Sequence, residues 1–333
     1  MTASATALRR RSALALLAAP AFVRHAGAQA PTRVVYQTGW LPQPDKGGLY
    51  QALATGLYRD AGLEVELRAG GPQLNATQVF LAGKADFVDS DSTRVLHFAK
   101  DGLPGVAVAA FGQKALTVLV SHPGAGHDTL ESLKGQPLLV STVGRQTYFP
   151  WLKARFGFTD AQVRPYTFSM APFLVDKAVS MEGFITSEPF EARRAGVEPV
   201  LHLLSEHGYQ AYSNVVVTSP KMVAERPDVV QRFVDATAKG WSSYLHGDPR
   251  PGNALIRQGN PEMSEEKIAF ARDAMRRAAI FDSPDVRAGG PGAMSDAQWK
   301  AACDTLAVAG VLPAGVDPAK GYTLRFVNKR VGA

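Results

Sequence analysis

The chain of 333 residues is short of cysteine, with Cys303 alone. A single thiol forms no internal disulfide and supports no thiolate metal cluster. Cys303 falls in an apolar-patterned stretch, Trp299 to Val308, where it reads as a small hydrophobe. Long apolar runs are also missing: Ala13 to Val23 is too short to span a bilayer well. Positive charge is scarce once the N-terminus is set aside. Residues 1–28 hold Arg9, Arg10, Arg11 and Arg24 and no acid; subtracting those four from the formal +6 leaves +2. Beyond them basic residues only pair, as in Arg193-Arg194 and Arg276-Arg277, so a basic stripe for nucleic acid is absent. No repeat of fixed period appears.

Residues 1–28 are expected to be a signal peptide: arginines, the apolar run, then Ala26-Gly27-Ala28 as a small-residue cleavage site. The consecutive arginines fit a twin-arginine signal, which implies export of the folded chain to the periplasm, with an ordinary Sec signal carrying extra arginines as the alternative. No cysteine directly follows the cleavage point, so no lipid anchor is expected there.

The mature chain is organised around Thr38 to Leu67. Arg33 to Tyr36 is β-rich, Glu64 to Leu67 alternates as a half-buried strand does, and Gly48 to Ala61 has apolar residues at helical spacing. The Pro- and Gly-rich loop Trp40 to Gly47 sits between, at the carboxyl end of a strand, where open α/β sheets bind ligands. Further on, helices are expected at Ala76–Ala82, Thr93–Lys100, Thr147–Phe156 and Phe173–Ser180. Strands are expected at Asp86–Asp89, Gly105–Phe111, Leu116–Ser121, Pro137–Ser141, Gly183–Thr186 and Val215–Thr218. From Lys221 to Ala309 the pattern is mainly helical. Alternating strands and helices imply an α/β fold with mainly parallel sheets.

Gly56-Leu57-Tyr58-Arg59-Asp60-Ala61-Gly62-Leu63-Glu64-Val65 resembles a phrase near the start of ABC-importer substrate-binding proteins, those related to the sulfonate and taurine binders and to the fungal thiamine-pyrimidine synthase. The likeness continues through Leu81 to Phe87, Leu130 to Gly135 and Glu182 to Pro189. It implies a type II periplasmic-binding-protein fold: two α/β lobes joined by two crossover segments, near Phe111–Leu116 and Gly208–Ser213, with ligand in the cleft. Lobe 1 would take residues 31–112 plus 211–333, and lobe 2 residues 113–210. The resemblance further implies a small-molecule ligand and an ABC transporter permease as partner, without a cofactor or metal; a monomer is expected.

Trp40 offers a flat face to a ligand ring, or else covers the lobe's core. Asp45 and Tyr50 flank the next helix start as site candidates, or else Asp45 caps that helix. Gln73 and Asn75 lie in a turn as ligand donors, or with Asn75 as an N-cap. Ser90 and Asp91 follow the third strand beside Asp89, giving a negative rim or, for Asp91, a cap. Thr142, Gly144 and Arg145 open a helix suited to an anion or a carbonyl, with Tyr148 one turn on. Glu188 stands where the resembled family commonly presents a carboxylate to its ligand; otherwise it is an acid at a helix start. Tyr212 and Asn214 mark the second crossover.

Asp89, Asp91 and Glu188 against Arg145 alone favour a ligand with N–H donors over a sulfonate or nitrate. A nitrogen heterocycle such as a thiamine-pyrimidine precursor is therefore preferred; sulfonates, nitrate and aromatic acids are the alternatives. Catalysis like that of the pyrimidine synthase is disfavoured, because Ser90 and Arg94 stand where that enzyme's lysine and histidine align and its cysteine-rich motif is absent. A ligand-sensing role for a membrane receptor is not separable from transport on sequence.

Overall fold

In β1 (Thr32–Gln37), Val34 and Tyr36 are buried while Arg33 is exposed, the alternation a strand with one core face requires. The computed structural model describes residues 1–2 and 30–333. The expected signal peptide lies, apart from its first two residues, outside the described residues. The chain from Pro31 to Ala333 forms one compact unit.

Its ten strands make two five-stranded sheets. The first joins β1, β2 (Leu63–Arg68), β3 (Phe87–Ser90), β4 (Val106–Gly112) and β10 (Ser213–Thr218), in the order β2-β1-β3-β10-β4. The second joins β5 (Thr117–Ser121), β6 (Leu138–Val140), β7 (Val163–Pro165), β8 (Ser180–Phe184) and β9 (Val200–Leu203), in the order β7-β6-β8-β5-β9. β1 runs parallel to β2 and β3, and β6 parallel to β7 and β8; β10 and β5 run antiparallel to both their neighbours. Each sheet thus has one reversed strand beside its edge strand. The chain passes from the first sheet to the second after β4 and returns after β9. The carboxyl ends of β1, β2 and β3 collect one set of loops; those of β6, β7 and β8 collect another.

The first sheet's core centres on Phe233, whose ring stacks on Phe87 (4.3 Å) and Tyr58 (5.3 Å). Phe233 belongs to the helix Pro227–His246, which crosses the helix Gly47–Ala54 closely. A Cβ at Gly48 would stand 2.2 Å from the Trp241 ring, and one at Gly240 2.3 Å from the Gly48 carbonyl. Only glycine at both points permits that approach. It anchors the helix that follows the Trp40 loop.

Several expected elements differ. Gly48–Ala61 is two helices, Gly47–Ala54 and Leu57–Asp60, parted by Gly56 at φ +79°. The expected helix Thr147–Phe156 runs over Phe149–Phe156, and the turn before it is itself a short helix, Thr142–Gln146. The expected helix Phe173–Ser180 ends at Val175, and β8 begins at Ser180 instead of Gly183. Glu182 on β8 is half-buried, so its polar character disguised the strand. Strands β7 and β9 were not expected. β7 is three residues long and ends in an edge proline, and β9 buries a histidine, His202.

Candidate ligand site

After β1 the chain bends at Thr38, whose hydroxyl donates to the Trp40 carbonyl (2.7 Å) and accepts from the Gly70 N–H (3.0 Å). The Gly70 N–H also reaches the Trp40 carbonyl, at 3.0 Å. The Trp40 loop is thereby tied to the segment following β2. Trp40 is half-buried, and its ring lies 4.7 Å from that of Phe168, tilted by 49°. Phe168 comes from the other sheet, just after β7, and holds φ +64°, a strained value for a bulky residue. Tyr166 stands 5.3 Å behind it and donates its hydroxyl to Glu188 Oε1 at 3.1 Å. Glu188 Oε2 accepts from the Phe184 N–H at 2.7 Å. Burial lifts the Glu188 carboxyl above its ordinary pKa, although those two donors oppose the shift. The aromatic wall thus spans the two sheets with a carboxylate beside it.

Beneath Trp40 the turn Pro44–Lys46 buries a charge cluster. Lys46 Nζ lies 2.9 Å from Asp89 Oδ2 and 3.4 Å from Asp45 Oδ2, and donates to Asn214 Oδ1. Burial works against the Lys46 charge, but Asp89 and then Asp45 outweigh it and hold the ammonium above the usual lysine range. Asp45 is pushed upward by burial despite Lys46. Asp45 does not cap the helix Gly47–Ala54, whose N-cap is Lys46 with no side-chain bond; the acid goes inward to meet the ammonium. Tyr50 is buried nearby, its hydroxyl pKa raised by burial and then by Asp45 and Asp89.

In the second sheet's loops, Ser141 Oγ accepts from the Gly144 N–H at 3.0 Å and so caps the helix Thr142–Gln146. Tyr148 is buried and donates to Glu182 Oε2 at 2.6 Å. Burial also lifts the Glu182 carboxyl, against bonds from Ser141 and Tyr148. Gly144 faces the same carboxylate: a Cβ there would lie 2.2 Å from Glu182 Oε2. Thr142 and Arg145 are exposed, and among the described residues the Arg145 side chain has no ion-pair partner.

Other candidates are engaged elsewhere. Asn75 is exposed and its side-chain oxygen accepts from the Gln78 N–H at 3.1 Å, the N-cap role; Gln73 is exposed on the turn before it. Asp91 caps the helix Ser92–Asp101, accepting from the Arg94 N–H at 3.0 Å, and Ser90 is buried next to it. Tyr212 is corrected outright: it is wholly buried, its hydroxyl accepts from the Ser295 N–H (3.1 Å), and its ring packs on Trp299 (5.4 Å), so it belongs to the core at the crossover. Sequence reasoning missed Phe168, Lys46, Tyr166 and Glu182. Phe168 carries no local signal, whereas a lysine between prolines and glycines next to Asp45 was visible but unpaired in sequence. Two surface depressions, of about 560 Å³ at Phe80–Arg226 and about 630 Å³ at Ile185–Ala278, contain none of these groups. Buried charge and cross-sheet aromatic contact mark the site better than concavity.

Comparison with known proteins places this geometry. The riboflavin-binding protein RibY of Chloroflexus aurantiacus is 25% identical over 303 residues, covering 89% of this chain and 86% of that protein. The periplasmic aliphatic sulphonate-binding protein SsuA of Escherichia coli shares the fold with a TM-score of 0.62 at 12% identity, over 88% of this chain and 91% of its own. The desulfurization enzyme DszB shares it with a TM-score of 0.60 at 14% identity, over 89% and 97%. The fold is that of the periplasmic binding proteins, and the presence of an enzyme among them means that fold alone does not separate binding from catalysis. Residues 43–250, well over half of the chain, match the family described as NMT1/THI5 like, and the chain belongs to that family.

Proposed function

We propose that this chain is an exported solute-binding protein that closes its two lobes, residues 31–112 plus 211–333 and residues 113–210, on a flat nitrogen heterocycle and delivers it to an ABC import permease. One observation carries the reading: Trp40 and Phe168 meet from different sheets, 4.7 Å apart and tilted by 49°, as the jaws of an aromatic clamp that part by lobe motion to admit a ring would. Asp45 and Asp89 belong to the loop and sheet that carry Trp40, Glu182 and Glu188 to the sheet that carries Phe168, and Lys46, the buried cation beside the first two, is already committed to those acids. An anionic ligand would meet net negative charge there, whereas ring N–H groups would meet acceptors. The riboflavin-binding relative supports a ring of this class, and a flavin joins the thiamine-pyrimidine precursor as a candidate. Sulfonate binding would have to rest on Arg145, which is exposed. The N-terminal sequence and the periplasmic relatives support export.

The enzymatic alternative has little to draw on. Burial raises the Cys303 pKa and keeps the thiol protonated, and it lies on the helix Asp296–Val308 away from the clamp.

The mature chain, from residue 29, is titrated with riboflavin, an aminopyrimidine, taurine, an alkanesulfonate and nitrate. A Tm rise with a heterocycle is expected, with quenching of flavin fluorescence where riboflavin binds; ligand at a hundredfold over Kd adds about 2.7 kcal/mol. Trp40→Ala should remove the effect. A rise with sulfonates alone overturns the ligand class, and turnover of any bound compound overturns the binding role.

A further inference from the structure

The ammonium of Lys46 decides how its neighbours are oriented. An ammonium only donates, so the Asn214 oxygen must face it and the Asn214 NH2 must point away. Asp89 likewise gives Oδ2 to Lys46 at 2.9 Å. Two atoms are left over: Asp89 Oδ1, an acceptor, and Asn214 Nδ2, a donor. Both are buried and neither has a hydrogen-bond partner among the described residues. Asn214 is 94% buried and holds φ +48°, a left-handed conformation that asparagine tolerates better than most side chains. Both residues lie on interior strands, at the end of the first sheet from which the Trp40 loop leaves β1: Ser90, next to Asp89, pairs with Val215, next to Asn214, and β3 runs parallel to β1. A Cβ on Gly39, beside Trp40, would lie 3.4 Å from Asp89 Oδ2.

Unpartnered buried polar atoms are costly, and an acceptor beside a donor is the complement of a ring edge carrying N–H next to an acceptor. We propose that Asp89 and Asn214 read that edge of the ligand: Asp89 Oδ1 accepts the ring or amino N–H, and Asn214 Nδ2 donates to the adjacent carbonyl or ring nitrogen. Lys46 is the positioning residue that holds both groups in this sense. The inference rests on the heterocycle reading above and deepens it. Two sources present the same edge, the lactam N–H and carbonyl of a flavin and the amino group and ring nitrogen of an aminopyrimidine.

The test blocks the edge on the ligand, leaving the protein intact. Binding of riboflavin is compared with that of its N3-methyl derivative, and binding of a 4-aminopyrimidine with that of its N,N-dimethyl derivative. Methylation of whichever ring binds should weaken affinity roughly 10- to 100-fold. Asn214→Asp keeps an oxygen for Lys46 and a residue tolerant of φ +48° but loses the donor; it should weaken the unmethylated ring similarly while its circular-dichroism melt stays cooperative. Equal affinity for methylated and unmethylated rings overturns the edge reading and leaves the aromatic clamp standing. Failure of every heterocycle to bind overturns both.

Discussion

Replacing Lys46 with methionine tests the electrostatic reading most directly. The substitution keeps the length of the stem and removes the ammonium from between Asp45 and Asp89. The three side chains are 10%, 12% and 11% exposed, so solvent screens them little. Removing one partner of a buried ion pair leaves uncompensated charge, a loss of about 3–5 kcal/mol at pH 8. For a chain of this size that corresponds to a Tm lower by roughly 6–10 °C. The loss should depend on pH. Asp45 is already above its ordinary pKa with Lys46 present, and without the cation it moves further up. A carboxyl whose folded pKa exceeds its unfolded one binds protons more tightly when folded, so the variant gains stability as pH falls. Urea titrations at pH 8 and pH 5 should therefore show a large deficit at the first and a smaller one at the second. A deficit below about 1 kcal/mol at pH 8, or one equal at both pH values, would refute the cluster as a compensated buried charge set.

Three further outcomes are expected. Glu188→Gln keeps an oxygen for the Phe184 N–H and lets its amide donate to Tyr166. Because burial raises the Glu188 pKa, the wild type loses stability as pH rises from the ordinary carboxylate range through the raised value, and the glutamine variant should have a flatter Tm profile there; parallel profiles would count against it. Gly144→Ala drives a Cβ to 2.2 Å from Glu182 Oε2 and 2.7 Å from the Tyr148 ring, and should cost about 1–3 kcal/mol in a denaturant melt; an unchanged midpoint would mean that the carboxylate moves freely. Lys267→Met removes a 2.7 Å ion pair between the helix Glu265–Arg277, which also packs on the Pro44–Lys46 turn, and Glu191 on the second sheet's helix Glu188–Arg194. Small-angle scattering should then give a larger radius of gyration for the ligand-free protein, and an unaltered radius would deny this pair a part in holding the two sheets' helices together.

Local pattern carried much of this protein. The β-rich runs became β1, β4, β5 and β10, because a buried strand announces itself in adjacent residues. The turn chemistry at Asn75 and Asp91 held as N-caps, because a cap bonds only three residues ahead. The loop holding Trp40 was legible as a strand-end loop for the same reason: prolines and glycines at fixed places exclude regular structure.

Tertiary structure decided what the loop meets. Phe168 reaches Trp40 from another sheet, and Lys46 reaches Asn214 across 168 positions of chain. Nothing in a window of neighbours fixes such pairs, since strand order and register set them. The same limit hid β7 and β9, which form by pairing with neighbours already in place. Whether a charge is buried depends on which partner arrives beside it, and so the sequence determined the α/β framework while strand order within the first sheet brought Asp89, Asn214 and Lys46 together.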